Sequence, residues 1–212
     1  MKSVLGEAGF RREAAHALST PLGALLLNAE LIDHYLGKHK PAEARDAVGM
    51  LLRDFETFGQ RFRAVFSAMA DMAEDGPGES DPRACLSVAL AELGEGGTYI
   101  GYQGMSPRVK VSGPALAALM RRLAMLAGAS GAGEAMLEGT EVDGACRLSL
   151  TAEDVVDAAS GDTSFDSPRT LHLRVAAEIA ARHGGRMDPE PARGIMVVVT
   201  LPLSSDPVIT ES

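Results

Sequence analysis

Asparagine is almost missing from this chain: Asn28 is the only one in 212 residues. Everything beyond residue 28 must therefore do without an Asn carboxamide as a metal or nucleotide ligand. Tryptophan is absent too, which suits an alanine-rich composition and carries no functional message. Cysteine is reduced to Cys85 and Cys146, far apart and without CxxC or Cys/His metal spacing, so both read as ordinary buried thiols. No apolar run approaches the roughly 20 residues that cross a bilayer, and residues 1–7 hold no stretch of signal-peptide length, so a cytoplasmic protein off the membrane is expected. Positive charge is in deficit. A formal net charge of -9 argues against a surface built to grip nucleic-acid phosphates. What is present, 46% hydrophobic and 23% charged residues in 22.2 kDa, makes a folded protein of one large domain or two small ones.

The first third reads as an antiparallel helix pair. Leu18, Leu22, Leu25, Ala29, Ile32 and Leu36 alternate steps of four and three, and Gly37-Lys38-His39-Lys40-Pro41 breaks the run. Val48, Leu51, Phe55, Phe58, Phe62, Val65, Met69 and Met72 repeat the pattern in a second helix. A sustained period near 3.5 predicts a coiled-coil-like seam, which dimerisation into a four-helix bundle would bury. A hairpin packed on the rest of its own chain is the other reading. The polar, breaker-rich stretch 74–81 is a linker. Beyond it, helices are expected over Pro82–Leu93, Pro114–Ala127 and Pro168–Arg182. Strands are expected over Thr98–Tyr102, Arg108–Val111, Ala135–Glu138, Ala145–Thr151 and Ile195–Leu201, with Asp143-Gly144 as a type I′ turn. The chain is thus of the α+β class: a helical hairpin over residues 1–75, an α/β sandwich over 81–205 and a tail, 206–212.

His16 and Thr20, four residues apart, share a helix face off the apolar seam, which turns the imidazole to solvent. Neutral imidazole has a nitrogen lone pair near pH 7, and its phosphoramidate is labile enough to pass a phosphoryl group on. Pro21 removes a donor and frees the Ala17 carbonyl, predicting a bend just past His16. Leu27 and Leu31 lie on the His16 side, where a soluble helix is normally polar. They form either a partner surface or a patch packed on the chain's own C-terminal part. His172 and His183, 11 residues apart, lack a Cys or acidic partner in ligand spacing and read as structural, and His34 and His39 read as solvated.

Residues 15–22, Ala-His-Ala-Leu-Ser-Thr-Pro-Leu, resemble the H-box of bacterial two-component sensor histidine kinases, where a helical His takes up a phosphoryl group. His183-Gly184-Gly185-Arg186-Met187, followed by Gly194–Leu203, looks like the last helix-to-hairpin segment of the ATP-binding domain in the same family. The resemblance spans roughly residues 8–203 and implies that fold for the sandwich. The departures are as informative. Ala17 stands where such kinases carry Glu or Asp as the base for attack on ATP. The Pro114–Ala127 helix occupies the place of the Asn-bearing N-box, with Arg and Leu where Mg²⁺ would need a hard oxygen ligand. Glu153–Gly161 is the nearest remnant of the adenine-reading D-x-G-x-G. Thr170-Leu171-His172-Leu173 stands in place of a Gly-x-Gly-Leu turn, with His where bare backbone would approach phosphate.

The resemblance is therefore to histidine phosphotransferases that look like kinases with a degenerate ATP domain. It implies a homodimer that moves phosphoryl groups between receiver-domain aspartates through His16, with response regulators and a hybrid histidine kinase as partners. No cofactor is expected on this chain, Mg²⁺ being held by the receivers. Thr20 matches a position that orients water for dephosphorylation, and reads equally well as a small polar residue on a wet face. The alternative is a pseudokinase scaffold that docks response regulators or a kinase without carrying phosphate. A working kinase ranks last.

Overall fold

The computed structural model describes residues 7–74, 76–94, 99–129, 133–152, 167–192 and 195–204. It is α+β, a helical N-terminal region followed by a five-stranded mixed sheet. The compact units divide between Ser67 and Ala68, so the last turns of the second helix group with the C-terminal unit rather than with the hairpin.

In the helical unit, α1 spans Glu7–Gly37 and α2 begins at Pro41, running on to Ala73. Gly37 stays helical, and His39 instead takes the left-handed conformation (φ 54°). The Lys40 amide then donates to the Tyr35 carbonyl at 2.9 Å, which closes the turn. On α1 the deeply buried positions include Ala14, Ala17, Pro21 and Asn28, and on α2 they include Ala44, Ala47 and Val65. These are mostly small residues. The lone asparagine joins the helices: Asn28 Nδ2 donates to Asp54 Oδ2 at 2.7 Å. The apolar seam is only partly covered. Leu22 and Leu36 are exposed, as are Phe55, Phe62 and Phe66 of α2, with the Phe62 and Phe66 rings stacked 4.3 Å apart. Other seam positions are covered: Val65 is buried, and Leu18, Leu25, Ile32, Leu51 and Phe58 are half-buried.

The second unit runs α3 (Pro82–Leu93), β1 (Tyr99–Gly104), α4 (Gly113–Ala129), β2 (Glu134–Val142), β3 (Ala145–Ala152), α5 (Pro168–Arg182), β4 (Arg186–Ala192) and β5 (Ile195–Pro202). Sheet order is β1-β2-β3-β5-β4, with β1 and β2 parallel across the α4 crossover and the other neighbours antiparallel. Register puts Leu137 opposite Leu150, Leu148 opposite Val199 and Cys146 opposite Leu201, all buried. The alternate positions Glu138, Ser149, Arg147 and Thr200 are more exposed, as a half-covered sheet requires. The turn between β2 and β3 has positive φ at both Asp143 (53°) and Gly144 (73°), as a type I′ hairpin demands.

Two expectations need correcting. Arg108–Val111 is not a strand: only Val109 pairs, in isolated bridges to Ser80 and Leu203. Its neighbours there are the linker just before α3 and the residue just after β5, so the ladder has no length to grow. Conversely β4, which reads Arg-Met-Asp-Pro-Glu-Pro-Ala, has no strand-like pattern. It is an edge strand bonded only to β5, where a missing proline donor is tolerated.

Candidate functional site

His16, Ser19 and Thr20 are exposed on α1, whereas Ala17 and Pro21 are buried. That split follows from helical spacing, since residues 17 and 21 fall on the face turned inward. Thr20 Oγ1 lies 3.5 Å from the His16 carbonyl and Ser19 Oγ donates to the Ala15 carbonyl at 2.7 Å, so both hydroxyls are turned back on the helix. Leu27 is 58% exposed, and Leu31 on the same face is half-buried. His34 and His39 are exposed.

The C-terminal unit holds a buried ionic cluster that residue patterns did not disclose. Helix α4 is buried along most of its length, and in its middle Arg122 has no exposed surface at all. A guanidinium there requires a partner. Asp71, from the last turn of α2, supplies it: Arg122 Nε donates to Asp71 Oδ2 at 2.6 Å, and Nη2 reaches the same oxygen at 2.5 Å. Arg121 ties the other Asp71 oxygen at 3.4 Å and Glu92 of α3 at 2.8 Å. On the far side, Arg122 Nη1 stands 3.3 Å from Nδ1 of buried His172 on α5. Arg donates only, so Nδ1 accepts and the ring proton belongs on Nε2. Arg182 of α5 adds a second tie to α2, donating to the Met72 carbonyl at 2.5 Å.

Burial pulls the Arg122 guanidinium below its ordinary value, opposed by the Asp71 carboxylate. Burial, with Arg122 adding repulsion, pulls His172 down from 6.5 to about 4. The sign follows directly: between these values the unfolded chain takes up a proton that the folded chain refuses. Stability supported by neutral His172 is complete above pH 6.5 and is lost as pH falls toward 4, by about 3 kcal/mol in all. Urea unfolding between pH 4 and 7.5 should show that slope, and His172→Gln should flatten it.

His172 is thus a buried acceptor for Arg122. His183 caps the end of α5, and among the described residues no group of three or more His, Cys, Asp or Glu could hold a metal ion. After it, Gly184 takes positive φ (74°), and a Cβ at Gly185 would strike the Thr200 carbonyl oxygen, so the glycine pair follows from backbone geometry. No helix among the described residues is long and apolar enough to cross a membrane.

The fold has a counterpart among solved structures. The histidine kinase AdeS of Acinetobacter baumannii matches with a TM-score of 0.53 over 89% of this chain and 98% of its own, at 15% identity. The chain has a histidine-kinase fold. At that identity the likeness is one of fold alone. Two further neighbours are more distant in shape and carry no weight. They are the ATP-binding domain of PrrB from Mycobacterium tuberculosis (TM-score 0.48, 15% identity, 62% of this chain and 100% of that one) and a bacterial phosphotransferase (0.43, 12%, 92% and 97%). No protein-family model and no curated protein sequence matches the chain.

Within that fold the side chains can be tested against Mg²⁺–ATP. The α4 helix and the start of α5 are the two elements whose kinase counterparts face the nucleotide by the resemblance above. Here they present a buried arginine and a buried histidine 3.3 Å apart, locked by a carboxylate. Neither side chain offers Mg²⁺ an oxygen. The adenine-motif remnant Glu153–Gly161 lies outside the described residues.

Proposed function

We propose that this is a two-component signalling protein that relays phosphoryl groups between receiver-domain aspartates through His16, as a homodimer and without ATP. The buried Asp71–Arg122–His172 cluster carries the reading, because it fills with interlocked side chains the elements a kinase would turn to its nucleotide. A phosphoryl source other than ATP is then needed, and an exposed imidazole on a helix can take one from a partner.

In the transfer, the His16 lone pair attacks the phosphorus of an aspartyl phosphate. The P–N bond forms as the bond from phosphorus to the carboxylate oxygen breaks, and the aspartate leaves as its anion. Imidazole keeps its proton on the other nitrogen, so no base has to remove it, which accords with Ala17 beside His16. The reverse step on a second receiver returns neutral His16. Mg²⁺ held by the receiver screens the moving charge.

Calorimetry with millimolar Mg²⁺–ATP should show no saturable binding, and incubation with labelled ATP should leave the protein unlabelled. Self-labelling would reject the reading. A chain that binds receivers but never takes their label would instead be a scaffold.

The second copy is argued from the open apolar stripe. Leu22 and Leu36 on α1, with Phe55, Phe62 and Phe66 on α2, are exposed at helical spacing along a hairpin whose inner face is already filled. A matching stripe from another copy completes a four-helix bundle. Phe55→Asp should convert the dimer to monomer in light scattering, since desolvating an unpaired carboxylate costs several kcal/mol. A monomeric unmutated chain would sink the bundle.

A further inference from the structure

Residues 68–212 hold almost twice as many acidic as basic residues, so a cation in that unit has carboxylates to choose from. Arg121, Arg122 and Arg182 are paired accordingly. Arg108, Lys110 and Arg147 are not: all three are exposed, and none forms an ion pair among the described residues. Arg186 has only Asp188, at 3.8 Å and with both side chains well exposed, a contact worth little in water.

The sheet brings these four cations together from three chain segments. Arg147 of β3 and Arg186 of β4 both stand opposite Thr200 of β5, one on each side, which sets their backbones ~10 Å apart. Residues directly opposite share a face, and this is the open one, since the alternate positions Leu148, Val199 and Leu201 are buried. Past Thr200, the Lys110 amide donates to the Pro202 carbonyl and the Ser204 amide to the Arg108 carbonyl, with Val109 buried between them. Alternation therefore turns Arg108 and Lys110 to the same face as Thr200. The nearby carboxylates of that face, Glu138 and Asp188, sit one row back, opposite Ser149 and Val198. Positive charge is thus gathered at one end of the face.

We propose that this end of the open sheet face binds an acidic segment of a partner protein, with carboxylates paired to Arg147 and Arg186 and the charges of Lys110 and Arg108 beside them. A guanidinium fork matches a carboxylate through two parallel hydrogen bonds. Val198, the apolar residue of this face, is already buried by its neighbours, so the surface offers charge rather than apolar area. Binding is accordingly salt-dependent. A long polyanion fits poorly because the rest of the unit is acidic, whereas a peptide can confine its carboxylates to the patch. Nothing in this contact involves His16 or phosphoryl transfer.

The probe is a fluorescent octaglutamate peptide titrated with the full chain at ~20 and ~150 mM NaCl; saturable binding is expected at the lower salt and weaker binding at the higher. Arg147→Glu with Arg186→Glu should weaken it ~10-fold or more. Lys38→Glu with Arg45→Glu, an equal change in net charge placed on the hairpin, should leave it within about twofold. Arg147→Gln with Arg186→Gln, which sets no like charge beside Glu138 and Asp188, should weaken it too, and an unchanged melting temperature separates lost binding from lost fold. Equal losses in the two charge reversals, or no saturable binding at the lower salt, overturn the site. Tighter binding of duplex DNA or of phosphatidylserine-containing vesicles than of the peptide at the same salt overturns the acidic protein segment as its partner.

Discussion

His16→Gln should abolish phosphotransfer while leaving the fold and the dimer in place. Glutamine keeps good helix propensity and hydrogen-bonding capacity, and His16 is exposed, so nothing in the packing depends on the ring. What disappears is the only group at that position with a nucleophilic lone pair near pH 7. The measurement is label transfer from a phosphorylated receiver, with acid lability separating phosphohistidine from phosphoserine. Ser19 and Thr20 are the neighbours to watch, yet both hydroxyls are turned back toward helix carbonyls rather than activated by a base. Label retained by His16→Gln would place the acceptor elsewhere and end the reading of residues 15–22.

Asp71→Ala should be the most destabilising single change in the C-terminal unit. It removes the carboxylate and leaves Arg122 charged, fully buried and short of its principal partner, which costs about 3–5 kcal/mol. For a chain of this size that lowers the melting temperature by about 10 °C. The double change Asp71→Leu with Arg122→Met removes both charges and should recover most of the loss, because the desolvation penalty disappears along with the attraction. Recovery in the double variant identifies an unpaired charge as the cause. If Asp71→Ala alone loses less than about 1 kcal/mol in urea unfolding, the cluster is not the anchor described here.

Helix ends and turns were legible where local chemistry decides them. The ends of α3 were readable because Asp81 accepts from the Arg83 and Ala84 amides and Pro82 opens the first turn. Pro168 plays the same opening part in α5, and Asp143-Gly144 sets its hairpin through positive φ. Other features need partners distant in sequence. Asp71 and Arg122 are 51 residues apart, and nothing in a seam of hydrophobic residues marks an arginine on a helix buried on nearly every side. The available signal was the pair Arg121-Arg122, the charges amid Ala, Leu and Met over the length of α4.

The sequence by itself determined the helices, the hairpin turn at Asp143-Gly144, the exposed His16 face and the loss of an Asn ligand, because each depends on residue type and on spacing within one helix or turn. Only the tertiary structure decided how much of the apolar seam a single hairpin leaves open. Each helix carries more apolar surface than one neighbour can cover, so Leu22, Leu36, Phe55 and Phe62 stay exposed while Ala14, Ala17 and Ala47 are buried. It also decided that the end of α2 belongs with the C-terminal unit and that His172 is a buried acceptor. Both follow from one physical fact: a guanidinium carried into a dry core must gather its carboxylate and its acceptor from wherever the fold brings them.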